Sequence, residues 1–568
     1  MDPKRTLKKF LTSYSRAFIS LTSDCSKSIG IDVCLPKTCS SKDLMNIIEA
    51  AKEFYPNISL PVCTITTFDD VNEPLTTGSW IMIAFFIIIS SIGILSGITD
   101  YFVIPANSPV RKSTKFQAFL AFSLYTNITE IFRAPKIKKG QIGAINCIRV
   151  ISIFWVIFGH VIEVFINVMN NLLDFISLLD YPMTQLIENA YFSVDSFFFI
   201  GGVLLSFMWF KGYNSNKKIL TSPMAWAMFY IHRIIRLSAP FYVVYLTYAF
   251  LFRPIMQDMP IYLLPNPTPD QCKKYWWKNM LYFSNLIPCM GHIWYLSTDM
   301  QMFVATPIIL IPLAINPIFG LIVAAILFIL STAGNVITVY LNHYPPTLIY
   351  FAPKDPKEIN MNLYNYNIYN AMWIRCQVYI MGIIVGWVLQ RYKRIKIHPI
   401  INIGGWILGL SMMLASLFGL FHYFNGHQLP LFWRAAYSSL SKPAWGLGLT
   451  WIIVSCYYGY GGPINQFMSW NIWIPLGRLS YCAYLVHLPI AIYIFGLEKN
   501  AIYFSSIWQI ISNYFFTTLF AAFSFALILS ALVEVPAGKL EALLLKSKPK
   551  PKIQKAEENI QWESKIKL

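Results

Sequence analysis

Charged residues are scarce in this chain, and acidic residues are the scarcest. Asp, Glu, Lys and Arg make up 13% of its 568 residues, whereas apolar residues make up 56%. A soluble protein of this length needs many polar helix faces, so the composition excludes that class. Stretches such as 80–98 contain no charge and are long enough to cross a hydrocarbon core about 30 Å thick. The sequence therefore predicts an all-α polytopic membrane protein.

The shortage of acidic residues leaves a net charge of +18, yet features of nucleic-acid binding are missing. The chain has no zinc-ligand spacing, no phosphate-cradling glycine loop and no basic helix interleaved with aromatics. Most Lys and Arg lie in short loops between apolar segments, where they record membrane orientation. The basic tail at 546–555 suits anionic lipid headgroups. We therefore expect membrane lipids as partners, and neither nucleic acid nor a bound metal.

Eleven apolar runs are long enough to span a membrane. They cover 79–103, 145–168, 187–210, 236–253, 293–312, 318–341, 371–390, 400–422, 440–459, 473–496 and 506–535. The segments between them alternate in charge: 105–140 is strongly basic, 170–188 has no Lys or Arg, and basic segments recur at 211–218 and 391–396. With eleven spans, all basic segments fall on one side, which the positive-inside rule makes cytosolic.

This topology divides the chain into five parts. Residues 1–78 form a small extracytosolic domain, 79–103 the first span, 104–144 a basic cytosolic loop, 145–535 a ten-helix domain and 536–568 a basic cytosolic tail. We expect the protein in the endoplasmic reticulum or the plasma membrane. Residues 1–40 lack an apolar signal segment, so either the first span translocates its own N-terminus or the chain lacks its natural start.

Cysteines and glycosylation sequences agree with this topology. Six cysteines fall on the side opposite the basic loops: Cys25, Cys34, Cys39, Cys63, Cys272 and Cys289. An even number of cysteines in an extracytosolic compartment indicates disulfides. We expect a Cys272–Cys289 disulfide and disulfides among the four N-terminal cysteines, whose pairing the sequence does not determine. Asn57 begins an acceptor sequence in the outer domain and we expect it to be glycosylated. Asn127 begins another on the cytosolic side, where we expect it to be bare.

Arg149 and His160 are the first candidates for chemistry, because ionisable residues inside a span are costly and are functional candidates by default. Eleven residues place them about 16 Å apart along one helix and nearly on one face. An extended pantetheine arm bridges such a gap, with its phosphates by the Arg and its thioester by the His. An ordinary hydrogen-bonded core histidine is the alternative for His160, and the alignment with Arg149 favours function.

Four further motifs contain polar residues at membrane depth. Arg233 and Arg236 lie three residues apart at a span entrance and suit phosphate, although positive-inside anchoring is the alternative. Asp195 is a carboxylate within a span, followed by Gly201 and Gly202, which permit close helix packing. The other two motifs contribute Trp294, Tyr295, Asp299, Gln301, Arg478, Ser480, Tyr484 and His487.

In this order the motifs resemble the acyltransferase 3 family, in the branch named after the nose-resistant-to-fluoxetine protein of nematodes. The resemblance runs from about residue 25 to about residue 535 and includes Cys-Leu-Pro-Lys-Thr-Cys at 34–39. It implies transfer of an acyl group from acyl-CoA to a hydroxyl of a lipid or extracytosolic acceptor. It also implies that His160 is the general base and that Arg149, Arg233 and Arg236 hold the phosphates of the donor.

The expected reaction needs acyl-CoA as co-substrate and no bound cofactor. A neutral His160 takes the hydroxyl proton as the oxygen attacks the thioester. Asp195 or Asp299 orients the imidazole or the acceptor, as a carboxylate does in a triad, and we expect Asp299 on the acceptor side.

Two other classes stay open. One is a transporter, or a lipid- and drug-handling membrane protein with this fold that transfers no acyl group. The other is a receptor whose outer cysteine domain binds a partner. Many transporters contain an internal repeat, and this chain shows none. The sequence therefore favours acyl transfer.

Overall fold

The computed structural model describes residues 12–20, 28–36, 38–54, 62–67, 74–105, 107–135, 140–256, 259, 269–286, 289–348, 355–498 and 500–546. Asn57 and the basic tail beyond residue 546 lie outside the described residues. The glycan and the lipid contact expected for them stay predictions.

The N-terminal domain contains a three-stranded antiparallel sheet and one helix. Its elements are β1 (Thr12–Ser20), β2 (Ser28–Pro36), α1 (Ser41–Phe54) and β3 (Val62–Thr67), with strand order β2-β1-β3. Leu44 of α1 packs with Ala17 and Ile65 of the sheet. The strands are rich in β-branched residues, which suit a pleated sheet. The prediction of an all-α chain is therefore wrong for this domain.

The N-terminal cysteines do not all pair. Cys63 in β3 is disulfide-bonded, but Cys39 is a free thiol in the half-exposed turn that leads from β2 into α1. Cys25 and the side chain of Cys34 lie outside the described residues. The expectation that all four cysteines form disulfides is therefore wrong for Cys39.

The rest of the described chain is helical. Its main helices are α2 (Thr77–Ile98), α3 (Leu124–Phe132), α4 (Ala144–Ile166), α5 (Phe192–Ser215), α6 (Pro223–Met256), α7 (Trp294–Ala305), α8 (Pro307–Ile315), α9 (Pro317–Asn342), α10 (Met372–Arg391), α11 (Pro399–Phe418), α12 (Leu431–Tyr458), α13 (Trp473–Gly496), α14 (Phe516–Leu529) and α15 (Val535–Lys546).

Shorter helices connect them. The α-helical ones are Thr114–Leu120, Leu172–Ile176, Gln185–Glu188, Pro269–Lys274, Trp276–Met280, Phe421–Phe424, Gly462–Met468 and Ile507–Gln509. The 3-10 turns are Pro109–Lys112, Ser177–Asp180, Pro182–Thr184, Lys217–Leu220 and Met361–Leu363, and the π-helical turns are Thr99–Val103, Asn365–Tyr369, Ile510–Phe515 and Ser530–Glu534.

Helix ends follow local capping chemistry. Thr76 and Ser79 form a reciprocal capping box at the start of α2, which satisfies backbone N–H groups that the helix leaves free. The Asn316 side chain accepts the Ile318 N–H at 2.9 Å at the start of α9, after which Pro317 suits the first helical position. Gly459 ends α12 with φ +86, a conformation that glycine adopts at no steric cost.

Ten helical segments of the described chain are long and apolar enough to cross a membrane. They correspond to ten of the eleven predicted spans. The eleventh, 440–459, lies in α12, which has 28 residues but is less apolar than the other ten. Its Ser441, Lys442, Gly446 and Gly448 are buried where α12 packs on α9, α10 and α11. The face of a membrane helix that packs on other helices carries small and polar residues that a lipid-facing surface does not.

The backbones of α5 and α10 lie in direct contact. A Cβ atom on Gly202 would overlap the Tyr379 carbonyl oxygen, and one on Gly382 would overlap the Phe199 carbonyl oxygen. Glycine therefore permits this approach, as small residues do between membrane helices. The close packing fixes α5 and α10, which carry Asp195 and Arg375, relative to each other.

The membrane helices enclose two buried apolar clusters, and α4 and α7 contribute to both. Ile153 of α4 and Met300 of α7 belong to one cluster, whereas Cys147 of α4 and Met302 of α7 belong to the other. Helices α4 and α7 therefore pack against both clusters. We call the end of the bundle where α4 and α6 begin the basic side.

Asn127 is fully buried in α3. Its side-chain amide donates to the Ala121 carbonyl at 3.0 Å and to the Ala531 carbonyl at 2.9 Å. A glycan needs an exposed asparagine, so this geometry agrees with the expectation that Asn127 is bare.

Candidate functional site

Three histidines meet far from the basic side. His160 of α4 and His487 of α13 have ring centroids 5.0 Å apart, and His292, just before α7, lies 5.0 Å from His487 and 6.3 Å from His160. His292 and His487 are buried. The His160 side chain keeps 25% of its surface exposed, so it is the member of the group that a substrate can reach.

Hydrogen bonds assign the protons of this group. His487 Nδ1 lies 2.6 Å from the Tyr484 carbonyl oxygen, so Nδ1 carries the proton and donates it. His487 Nε2 is then an acceptor, and it lies 3.0 Å from His160 Nδ1, which must donate. His160 Nε2 is left with a free lone pair. The Glu163 carboxylate lies 4.0 Å from that atom, close enough to stabilise an imidazolium.

His292 is also fixed by hydrogen bonds. Its Nε2 lies 3.2 Å from the Leu485 carbonyl oxygen and therefore donates, and its own carbonyl accepts the Tyr484 hydroxyl. His292 Nδ1 is buried without a hydrogen-bond partner among the described residues. The group thus presents a second imidazole nitrogen with a free lone pair.

The predicted donor-binding arginines converge near the basic side, although they come from two helices. Arg149 of α4 interacts electrostatically with Arg233 and Arg236 of α6, and with Glu534. Arg233 forms an ion pair with Asp299. Arg236 is exposed. The positive charges of Arg233 and Arg236 oppose that of Arg149, and an anionic ligand with several phosphates would relieve this opposition.

Two tyrosines connect the arginines to the histidines. The Tyr295 hydroxyl interacts electrostatically with Arg149, Arg233 and Asp299. Its ring lies 5.3 Å from that of Tyr484, and the Tyr484 ring lies 5.4 Å from that of His292. A continuous line of polar and aromatic side chains therefore runs from the arginines to His160 through α7 and α13.

Asp195 belongs to a separate buried cluster. Its carboxylate forms a 2.8 Å ion pair with Arg375, and both side chains are fully buried. The Arg375 guanidinium lies 4.8 Å from the Tyr369 ring and 5.4 Å from the Trp294 ring. Asp195 makes no ion pair with His160 among the described residues. Only its Oδ1 atom pairs with Arg375, and its Oδ2 atom is buried without a hydrogen-bond partner among the described residues. The ion pair holds α5 against α10.

Asp299 lies with the arginines and not with the histidines. It pairs with Arg233, whose guanidinium lies 4.5 Å from the Phe303 ring. We expected Asp299 on the acceptor side. Helix α6 begins at Pro223, well before the predicted span start at 236, so Arg233 lies deep enough in the bundle to reach Asp299.

The other motif residues stabilise structure. Gln301 donates to the Tyr282 carbonyl at 3.1 Å. Arg478 Nη1 donates to the carbonyls of Glu130, Ile131 and Arg133 at 2.6, 2.9 and 2.7 Å and so caps the last turn of α3. Ser480 donates to the Gly477 carbonyl of its own helix at 2.8 Å.

Four charged or titratable residues of these groups lie outside the sequence motifs. Glu163, Arg375 and Glu534 lie within predicted spans, so the rule that flags ionisable residues at membrane depth would have found each of them. His292 lies one residue before a predicted span, and only its place next to Trp294 and Tyr295 gave a signal.

The apolar helices and the polar line that they enclose define an integral membrane protein with a buried candidate active site. The acyltransferase 3 profile, described as an acyltransferase domain, matches residues 142–534, more than half of the chain. The protein therefore belongs to the acyltransferase 3 family, and the resemblance noted from the motifs is confirmed.

Two curated proteins of Caenorhabditis elegans are similar to it. Nose resistant to fluoxetine protein 6 is 28% identical over 558 residues, which cover 91% of this chain and 66% of the relative. Regulator of hypoxia-inducible factor 1 is 23% identical over 401 residues, which cover 66% of this chain and 75% of the relative. The chain thus spans about two thirds of the length of the first relative. No solved structure matches it significantly.

Proposed function

We propose that the protein is an O-acyltransferase that moves an acyl group from acyl-CoA to a hydroxyl of a lipid or extracytosolic acceptor. One observation carries the proposal: the bonds from His160 to His487 and from His487 to the Tyr484 carbonyl leave His160 Nε2 unprotonated and accessible. This is the state that a general base requires.

The donor binds first along the polar line. Its phosphates lie at Arg149, Arg233 and Arg236, because guanidinium groups bind phosphate oxygens in pairs. Arg149 and His160 are eleven residues apart on α4, a rise of about 16 Å. The pantetheine arm covers this length beside Tyr295 and Tyr484 and brings the thioester to the histidines.

The acceptor hydroxyl then reacts at His160. Nε2 takes the hydroxyl proton while the oxygen forms a bond with the acyl carbonyl carbon, and Glu163 stabilises the imidazolium. The bond between that carbon and the CoA sulfur breaks, and the imidazolium returns the proton to the thiolate. The products are an ester and free CoA. General base catalysis of this kind contributes about 10²–10⁴-fold.

Orientation follows from charge. The basic side faces the cytosol, where acyl-CoA is available, and the histidines lie nearer the opposite face. The N-terminal domain is then extracytosolic and the tail cytosolic, in the endoplasmic reticulum or plasma membrane. Membrane lipids surround the helices, and a lipid acceptor reaches His160 from the outer half of the bilayer.

Purified protein in lipid vesicles tests the proposal. We expect radiolabelled acyl-CoA to yield an equal amount of free thiol and acyl ester, with the initial rate reduced at least about 100-fold in His160→Ala. His427→Ala, at an exposed histidine outside the site, should match the wild type. Equal rates of ester formation in His160→Ala and wild type would exclude general base catalysis by His160. Absence of ester formation by the wild type would favour a transport function.

A further inference from the structure

The described part of the segment between Cys272 and Cys289 packs along α6 with buried residues such as Asn279 and Tyr282, while Trp276 and Leu281 remain exposed. It follows α6 toward the basic side. Asp270, two residues before Cys272, pairs with Arg253 at 3.0 Å. Within the segment, the Tyr282 hydroxyl lies 2.7 Å from Ser238 Oγ. Cys272 meets Tyr245 and Tyr282 meets Ser238. These α6 residues are seven positions apart, so the segment itself descends about 10 Å along the helix.

Side chains of α6 satisfy the backbone of the segment on the way. The Tyr245 hydroxyl donates to the Cys272 carbonyl at 2.9 Å, and the Tyr242 hydroxyl donates to the Met280 carbonyl at 2.8 Å. Irregular backbone at membrane depth persists only where protein groups replace water as partners. The segment is therefore a re-entrant element that α6 is built to receive.

Helix α7 holds the other side of the same element. The Ser284 N–H donates to Ser297 Oγ at 3.0 Å. Gln301 contacts Asn285 at 3.1 Å and donates to the Tyr282 carbonyl. Gln301 lies two residues after Asp299, so the element is fixed to the part of α7 that carries the ion pair with Arg233.

Tyr282 lies at the inner end of the element. It is buried and has φ +64, a left-handed conformation that is rare and strained for a bulky residue. Its side chain lies within electrostatic range of Arg233 and Asp299. The hydrogen bonds to Ser238 and Gln301 hold Tyr282 in this conformation beside the donor site.

A disulfide closes the element at its outer end. Cys272 and Cys289 are bonded, with Cα atoms 5.0 Å apart, and both are buried. The closed loop of about 18 residues has far fewer alternative conformations than an open one. The disulfide therefore keeps the segment inserted between α6 and α7.

We infer that the Cys272–Cys289 element positions the donor site, with Tyr282 as its positioning residue. It holds the Asp299–Arg233 pair so that binding of acyl-CoA from one face depends on a disulfide formed near the other. This inference rests on the proposed function of the arginines. It adds an oxidation-dependent control of donor affinity to the proposed reaction.

Direct binding of a non-reactive thioether analogue of acyl-CoA tests the inference, because it does not require turnover. Full-length protein in vesicles is titrated as wild type, Tyr282→Phe and the double variant Cys272→Ser/Cys289→Ser. Loss of one hydrogen bond of about 1 kcal/mol predicts an analogue Kd raised about fivefold in Tyr282→Phe. The double variant should weaken binding at least as much, while Cys456→Ser, at a buried free thiol, leaves it unchanged.

The outcomes separate the two proposals. If wild type binds no analogue, the proposed function fails. If wild type, Tyr282→Phe and the double variant bind it equally, the positioning role is wrong and the function stands. Should the double variant fail to fold, Tyr282→Phe decides, since it keeps the disulfide. Turnover provides a second readout: the KM for acyl-CoA rises in Tyr282→Phe with kcat within about twofold, because His160 is untouched.

Discussion

The Nδ1 atom of His160 lies 3.0 Å from the Nε2 atom of His487 and joins helices whose residues are 327 positions apart in the chain. This contact gives the last sequence motif a physical role. His487 fixes the tautomer of His160 by accepting its Nδ1 proton, and the Tyr484 carbonyl fixes His487 in turn. His487 is therefore a positioning residue for the proposed base.

Replacing His487 tests that role. His487→Leu removes the acceptor, so His160 samples both tautomers and kcat should fall about 10- to 100-fold while the KM for acyl-CoA stays near the wild-type value. Residues that act as one unit are not additive. The variant His160→Ala/His487→Leu should therefore be no slower than His160→Ala alone. If the double variant instead lost rate by the product of the two single-variant factors, the hydrogen bond from His160 to His487 would not act as one unit with the base.

Arg233→Lys tests the donor site. The substitution keeps the positive charge but removes the planar fork that binds phosphate and Asp299 together. The KM for acyl-CoA should rise about tenfold, with a smaller change in kcat, in steady-state kinetics of the purified protein. Arg391→Lys is the matched control, since Arg391 ends a helix and lies over the Trp387 ring. Equal KM values in the two variants would refute phosphate binding by Arg233.

Replacing Arg478 should change stability and leave donor binding unchanged, because Arg478 caps α3 through three carbonyls. Arg478→Met should lower the free energy of unfolding by about 2 kcal/mol, the value of a hydrogen bond to a charged group. Thermal unfolding in detergent measures this, and the KM of the remaining folded protein should match wild type. A changed KM with unchanged Tm would place Arg478 in the site instead.

Low pH should reduce the thermal stability of the protein through Asp355. The Lys357 backbone N–H, followed by the Arg434 side chain, lowers the pKa of Asp355 to about 2 from its usual 3.8. A carboxyl with a lowered folded pKa stabilises the fold above its unfolded pKa and loses that contribution as pH falls. Tm should therefore drop between about pH 4 and pH 2 in wild type and drop less in Asp355→Asn. Parallel curves for the two proteins would contradict this assignment.

Helix periodicity predicted part of the site, because Arg149 and His160 share one helix. Contacts between helices were harder to predict. The apolar run suggested a span start at 236, whereas α6 begins at Pro223, so the sequence did not predict that Arg233 pairs with Asp299. A carboxylate such as Asp195 was a candidate for orienting His160, but its partner Arg375 is 180 residues away and no local pattern shows the pair.

The re-entrant element shows a second limit of the sequence. A polar stretch between two apolar runs predicts an external loop, as it did for Cys272 and Cys289. The segment between these cysteines instead packs along α6. Tyrosine hydroxyls of α6 and the Gln301 amide donate to its backbone carbonyls, in place of water. Such pairing becomes visible only when the helices are placed side by side.

Chemical rescue is the most direct test of general base catalysis by His160. His160→Gly removes the imidazole and leaves a space of its size beside His487, and the rate of ester formation should fall at least about 100-fold. Added imidazole should restore part of that rate, in proportion to its unprotonated fraction, and should not speed up the wild type or Arg233→Lys. A His160→Gly variant with wild-type rates of ester formation, or one whose lost rate imidazole restores equally well when fully protonated, would contradict general base catalysis by His160.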